Sequence, residues 1–135
     1  MDANGKSKMD TSTRFLVVDD MVAMRRIIRN LLKELGFEHV DEAEDGEKGL
    51  DKLRGGQFGF VISDWNMPVM DGLTVVRAVR SAGTFPELRI MMITTEAQAH
   101  SVALALESGA DEYLMKPFTR EAVLEKLALL GLAPA

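Results

Sequence analysis

Apolar and polar positions follow two rhythms along this chain, and the rhythms take turns. Phe15-Leu16-Val17-Val18 is an unbroken apolar run of strand length, the pattern of a strand covered on both faces. Met21 to Leu35 then recurs at helical spacing. Met24, Ile27 or Ile28, Leu31 and Leu35 share a face, Arg25, Arg26, Arg29 and Lys33 lie off it, and Gly36 stops the helix. His39–Ala43 reads as a weak strand, and Glu47–Leu53 as a helix ended by Gly55-Gly56. Phe58–Ser63 and Leu88–Ile93 read as strong strands and Glu112–Met115 as a short one. Leu73–Arg80, Ala97–Glu107 and Thr119–Leu130 read as helices, with Gly83 and Gly109 after the first two. Strands alternating with helices of this length predict an α/β fold with a parallel sheet covered on both faces.

Composition narrows the classes of function. The 135 residues carry 21 acidic and 16 basic side chains, a net charge of −5, and no cysteine. The length suits one domain, expected over residues 14–132, with a polar lead-in over 1–13 and a short tail over 133–135. Without cysteine there is no disulfide framework and no thiolate metal site. No apolar run approaches the roughly 18–20 residues of a bilayer span. The first residues hold no apolar core of a secretory signal, so a cytoplasmic location without membrane insertion is expected. Excess acid argues against nucleic acid as a partner.

In an open parallel sheet, ligands bind beyond the carboxyl ends of the strands. Asp19 and Asp20 follow the first strand, and Asp64 follows the third, ahead of Trp65-Asn66-Met67-Pro68. Thr94, Thr95 and Glu96 follow the fourth, and Lys116-Pro117-Phe118 the fifth. Each has an ordinary alternative: Asp20 as a helix cap, Asp19 as a solvated turn residue, Thr94 or Thr95 as a cap, Lys116 as a surface lysine. Together they bring three carboxylates, an ammonium and a hydroxyl to one rim. Carboxylates that close repel by several kcal/mol at protein-like dielectric unless a cation sits among them. Oxygen ligands without His or Cys select a hard ion, Mg²⁺ before Zn²⁺. His39 and His100 have no partners that suggest a metal site. An ionised aspartate beside such an ion is a competent nucleophile toward phosphorus, and a lysine and a hydroxyl would stabilise the transferring group.

Val18-Asp19-Asp20, Ser63-Asp64-Trp65-Asn66-Met67-Pro68, Asp71-Gly72, Thr94 and Lys116-Pro117-Phe118 resemble the motifs of two-component response-regulator receiver domains. The resemblance runs from about Arg14 to Leu130. The stretches MRRIIRNLLKELGF and FVISDWNMP bring it nearest to the single-domain chemotaxis regulators of the CheY type. It implies a doubly wound, flavodoxin-like (βα)5 fold with strand order 2-1-3-4-5. It implies a monomeric signalling protein that accepts a phosphoryl group on Asp64 from a histidine kinase of the CheA type, and that promotes only its own phosphorylation and dephosphorylation. One Mg²⁺ is expected on Asp19, Asp20, Asp64 and the backbone carbonyl of Asn66, with Lys116 and Thr94 on the phosphoryl group. Lys116-Pro117 is a candidate cis peptide. Thr94 and Tyr113 are the expected switch pair. Asn66 and Glu96 would tune phosphoryl loss, with or without a separate phosphatase.

Ala99, Val102, Leu106, Tyr113 and Met115 form the expected partner surface, for a target such as a flagellar motor switch component. One departure bears on that target. Flagellar members carry lysine at the start of the fourth helix, whereas this chain has Gln98-Ala99-His100 after Glu96, which weakens steering toward an acidic peptide. A phosphate sink, or an adaptor in another chemosensory or stress pathway, is the alternative. A flavin site is disfavoured because Asp19-Asp20 would repel a cofactor phosphate. A phosphatase with an aspartyl nucleophile would carry a second acid two residues on, where this chain has Asn66. The βα units use nearly the whole chain, so the output is expected to be a partner protein.

Overall fold

A computed structural model describes residues 12–67, 69–83, 85, 87–95 and 101–132. Five strands and five helices alternate: β1 (Phe15–Val18), α1 (Val22–Glu34), β2 (Val40–Ala43), α2 (Gly46–Gly55), β3 (Phe60–Asp64), α3 (Gly72–Ala82), β4 (Arg89–Thr95), α4 (Val102–Ser108), β5 (Glu112–Lys116) and α5 (Arg120–Leu129). The strands form one parallel sheet in the order β2-β1-β3-β4-β5. The expected doubly wound architecture is thus observed. Among the described residues no helix is long and apolar enough to cross a membrane.

The continuous apolar strands are explained by two cores, one on each face. Phe15 and Val17 of β1 join Ile62, Met91, Ile93 and Leu114 in a cluster closed by Ile28 and Leu32 of α1 and Val123 and Leu127 of α5. The alternate residues, Leu16, Val18, Val61, Ile90 and Met92, join Leu50 and Leu53 of α2, Val75, Val76 and Val79 of α3 and Ala105 of α4. The inner strands β1, β3 and β4 therefore bury both of their faces, the edge strands β2 and β5 are buried only in part, and each helix buries one stripe. Ile28 is the inward residue of the Ile27–Ile28 pair, and Ile27 is half exposed.

Several boundaries differ from the sequence reading. β4 runs through Thr94 and Thr95, because β5 keeps pairing to the end (Thr94 with Met115, Thr95 with Lys116). β3 begins at Phe60, two residues later than expected, and takes in Asp64. α4 is described from Val102, and the expected helical residues Ala97–His100 lie outside the described residues. Asp45, Asp71 and Thr119 cap α2, α3 and α5 by accepting from the N–H groups of Lys48, Thr74 and Ala122. At α1 the cap position falls on Met21, with no side-chain bond, so Asp20 is not spent on capping.

At the end of the sheet opposite the rim, Arg80 of α3 gathers the loops. Its guanidinium donates to the carbonyls of Gly109, Phe85 and Leu88 and pairs with Asp111 Oδ2 at 2.9 Å. Asp111 in turn accepts from the N–H of Ile90. Gly109, with φ +120°, closes α4 against this side chain: a Cβ there would stand 2.4 Å from Arg80 Cγ. The knot ties the C-terminal end of α4 to α3 and to the start of β4.

At the rim, Gly72 opens α3 and donates its N–H to the carbonyl of Trp65. A Cβ at Gly72 would lie 2.4 Å from the Asp64 carbonyl oxygen and 2.5 Å from Met92 Cε. Backbone cannot yield that distance without moving the end of β3. Gly72→Ala is therefore expected to lose about 1–3 kcal/mol in urea denaturation. Gly55→Ala, where a Cβ meets nothing within 4 Å, serves as the control and should leave stability unchanged or slightly raised.

Candidate functional site

The sheet changes its direction of build between β1 and β3, and the acidic residues stand at the carboxyl ends of those two strands. Asp64 is the last residue of β3 and is 7% exposed. Asp19 directly follows β1 and is fully buried, and Asp20 beside it is exposed. One carboxylate oxygen from each of the three lies within 4.8 Å of the others. Lys116, the last residue of β5, sends Nζ to 3.2 Å from Asp64 Oδ1 and 3.9 Å from Asp19 Oδ2. The Lys116–Pro117 peptide is cis.

The oxygens of this cluster are unequally served. Asp64 Oδ1 accepts from Lys116 Nζ and from the N–H of Trp65, and among the described residues no bond falls on Oδ2. Asp19 Oδ1 accepts from the N–H of Met21 at 2.9 Å. Asp19 Oδ2 is buried without a hydrogen-bond partner, the one such side-chain atom among the described residues. A buried carboxylate oxygen with no donor is costly, and it needs either a proton or a cation. Burial, then the neighbouring carboxylates, holds the Asp19 carboxyl above the ordinary range, against the pull of the Met21 N–H and Lys116. Burial likewise raises Asp64, and Lys116 only partly offsets it. The donor set of oxygens, the orphaned Asp19 Oδ2 and the exposed mouth at Asp20 all fit a hard divalent cation.

Thr94 is buried on the same rim, with its hydroxyl donating to the carbonyl of Thr95 at 2.9 Å and not to Asp64. In the register of β4 and β5, Thr94 pairs with Met115 and Tyr113 with Met92. That register puts the Thr94 and Tyr113 side chains on one face of the sheet, the face of α2, α3 and α4. Tyr113 and Met115 are half-buried, Val102 is half-buried, and Leu106 is 40% exposed, with Ala105 turned into the core. Asn66 is exposed in the loop after β3. Glu96 and Ala99 lie outside the described residues.

Two contributors escaped the reading of the sequence. Arg25 donates to the carbonyl of Asp19 at 2.7 Å and pairs with Glu42 at 3.0 Å, which holds the end of β1 in place. It had registered only as a residue off the apolar face of α1. Lys126 lies over the Tyr113 ring and pairs with Glu112. No local signal joins those positions, because α5 meets β5 only through the fold.

Comparison with known proteins agrees with this geometry. Residues 15–128 match the family described as the response regulator receiver domain. The chain is 43% identical over 114 residues to the chemotaxis protein CheY of Pseudomonas aeruginosa, covering 84% of this chain and 92% of that one. It is 40% identical over 119 residues to the chemotaxis protein CheY-3 of Vibrio cholerae, covering 88% and 92%. Among solved structures, the chemotaxis response regulator CheY4 of Vibrio cholerae matches with a TM-score of 0.80 at 36% identity, covering 87% of this chain and 98% of that one.

The raised carboxyls have a signed consequence. Because folding raises the pKa of Asp19, the metal-free fold gains stability from it below the unfolded carboxylate range and loses that gain as pH rises through the raised value. Asp19→Asn removes the charge, so without divalent cation it should be more stable than wild type at neutral pH, by about 1–3 kcal/mol. The advantage should shrink as pH falls into the acid range. Added Mg²⁺ should stabilise wild type and leave Asp19→Asn nearly unchanged. Thermal denaturation at several pH values, with and without Mg²⁺, checks both signs.

Proposed function

This chain belongs to the response regulator receiver family, and from that premise we propose that it is a single-domain chemotaxis regulator phosphorylated on Asp64. The observation that carries the proposal is Asp19 Oδ2, buried beside Asp64 without a hydrogen-bond partner, with the Lys116 ammonium 3.9 Å from it and 3.2 Å from Asp64 Oδ1. The match to chemotaxis proteins over 92% of their length supports the pathway.

Asp64 Oδ2 attacks the phosphorus of a phosphohistidine on a kinase. The O–P bond forms, the N–P bond breaks, and the imidazole leaves with the electron pair and takes up a proton. Lys116 holds Asp64 Oδ1, which leaves Oδ2 free for attack and favours the ionised carboxylate against the effect of burial. Asp19, Asp20, Asp64 and the carbonyl of Asn66 would hold Mg²⁺. Once bound, the ion supplies charge stabilisation for the transferring group and cancels the repulsion among the carboxylates. The phosphorylated Asp64 carries extra negative charge and acceptor oxygens into a buried corner. Thr94 answers by turning its hydroxyl from the Thr95 carbonyl to a phosphoryl oxygen. The space it leaves on the shared face receives the Tyr113 ring. The surface of Val102, Leu106, Tyr113 and Met115 then changes shape for a target protein, such as a flagellar motor switch component. Attack by water on phosphorus returns Asp64, with Asn66 and Glu96 setting the rate.

Trp65 is the only tryptophan, and its backbone N–H donates to Asp64 Oδ1, which places the residue beside the site. Mg²⁺ and then a small phosphodonor such as acetyl phosphate should each change its fluorescence. Mass spectrometry of the intact protein should show one added phosphoryl group, lost with time. Asp64→Asn should abolish that gain; labelling that persists in this variant would remove Asp64 as the acceptor.

A further inference from the structure

β5 is an edge of the sheet, so the Tyr113 side of it has no further strand to cover it. Lys126 comes around that edge from α5. Its Nζ lies 4.1 Å from the centroid of the Tyr113 ring and 3.0 Å from Glu112 Oε1. The same Glu112 oxygen accepts from the N–H of Tyr113 at 3.1 Å. Ammonium, carboxylate and ring thus form a closed unit on two adjacent residues of β5 and one of α5. The Lys126 and Glu112 side chains are 21% and 18% exposed, so water and salt screen them less than a surface pair.

From this unit we infer that Lys126 is a positioning residue for Tyr113, a lock that weights its ring toward the edge of the sheet. The inference rests on the proposed Thr94–Tyr113 switch. The negative face of the ring is attracted to the ammonium, and Glu112 anchors that ammonium at the edge. A ring that moves toward Thr94 leaves it behind. The attraction therefore acts only on the edge orientation, and only such a differential contact shifts a two-state equilibrium. Among the described residues Lys126 pairs with Glu112 and Tyr113 and not with the acidic cluster, so on this inference its influence on the site passes through the tyrosine. A cation–π contact of ordinary strength corresponds to a roughly two- to fivefold change in the ratio of the two orientations.

Tyr113 is the only tyrosine, so a ring-fluorinated tyrosine incorporated biosynthetically reports on this one side chain. Fluorine NMR of the full chain with Mg²⁺ would be followed as beryllofluoride, a phosphoryl mimic, is added. In Lys126→Met the line without beryllofluoride should move toward the position reached with it. Half-conversion should need roughly two- to fivefold less beryllofluoride than in wild type. Lys126→Arg, which keeps a cation over the ring, should behave as wild type. Glu112→Gln, which frees the ammonium, should move in the same direction as Lys126→Met. General loosening of the fold would weaken beryllofluoride binding, so tightening separates a lock from a structural role. A wild-type line that ignores beryllofluoride overturns the switch reading and the lock with it. A line that responds in wild type, with the same position and midpoint in Lys126→Met and Glu112→Gln, overturns the lock alone.

Discussion

Three carboxylates with ligand atoms within 4.8 Å of one another repel, and among the described residues the one ammonium paired with them, Lys116, reaches only two of them. The rest of the molecule is arranged to keep them there. Two faces of apolar packing fix β1 and β3 side by side, so Asp19 and Asp64 cannot separate to relieve the repulsion. Arg25 holds the carbonyl of Asp19 and Gly72 gives the Asp64 backbone room. The core thus stabilises the fold enough to keep one corner unfavourable, and that corner is where a bound cation would bring the largest gain.

The sheet also sets the route from that corner outward. Parallel register places every second residue of neighbouring strands on a common face. Thr94 and Tyr113 are neighbours on that face although 19 positions separate their numbers in the chain. The proposed switch would therefore need no special pathway between them: one side chain would vacate space and the other fill it, against a packed background.

Much of this was legible in the residues. Apolar runs and helical stripes gave all five strands and helices, because a strand buried on both sides and a helix buried on one leave different periods. The acidic cluster was legible as well, because Asp19, Asp20 and Asp64 interrupt apolar runs where a loop should be bland. The end of β4 was less legible, since the apolar run stops at Ile93, whereas pairing with β5 prolongs the strand through Thr94 and Thr95. The α5–β5 contact of Lys126 was illegible for a different reason. An ammonium on a helix looks solvated until the neighbouring strand is known, and only the fold supplies Glu112 and Tyr113 as its partners.

The Arg80 knot gives α4 a mechanical character. Arg80 fastens Gly109, just past the last turn of α4, while the other end of that helix approaches the rim where Thr94 sits. A rod pinned at one end can swing but cannot slide. Under the proposed switch, an adjustment begun at the rim would be largest at the end of α4 nearest Thr94 and smallest beside Arg80. A target of that switch would then read the rim end of the helix more than the pinned end.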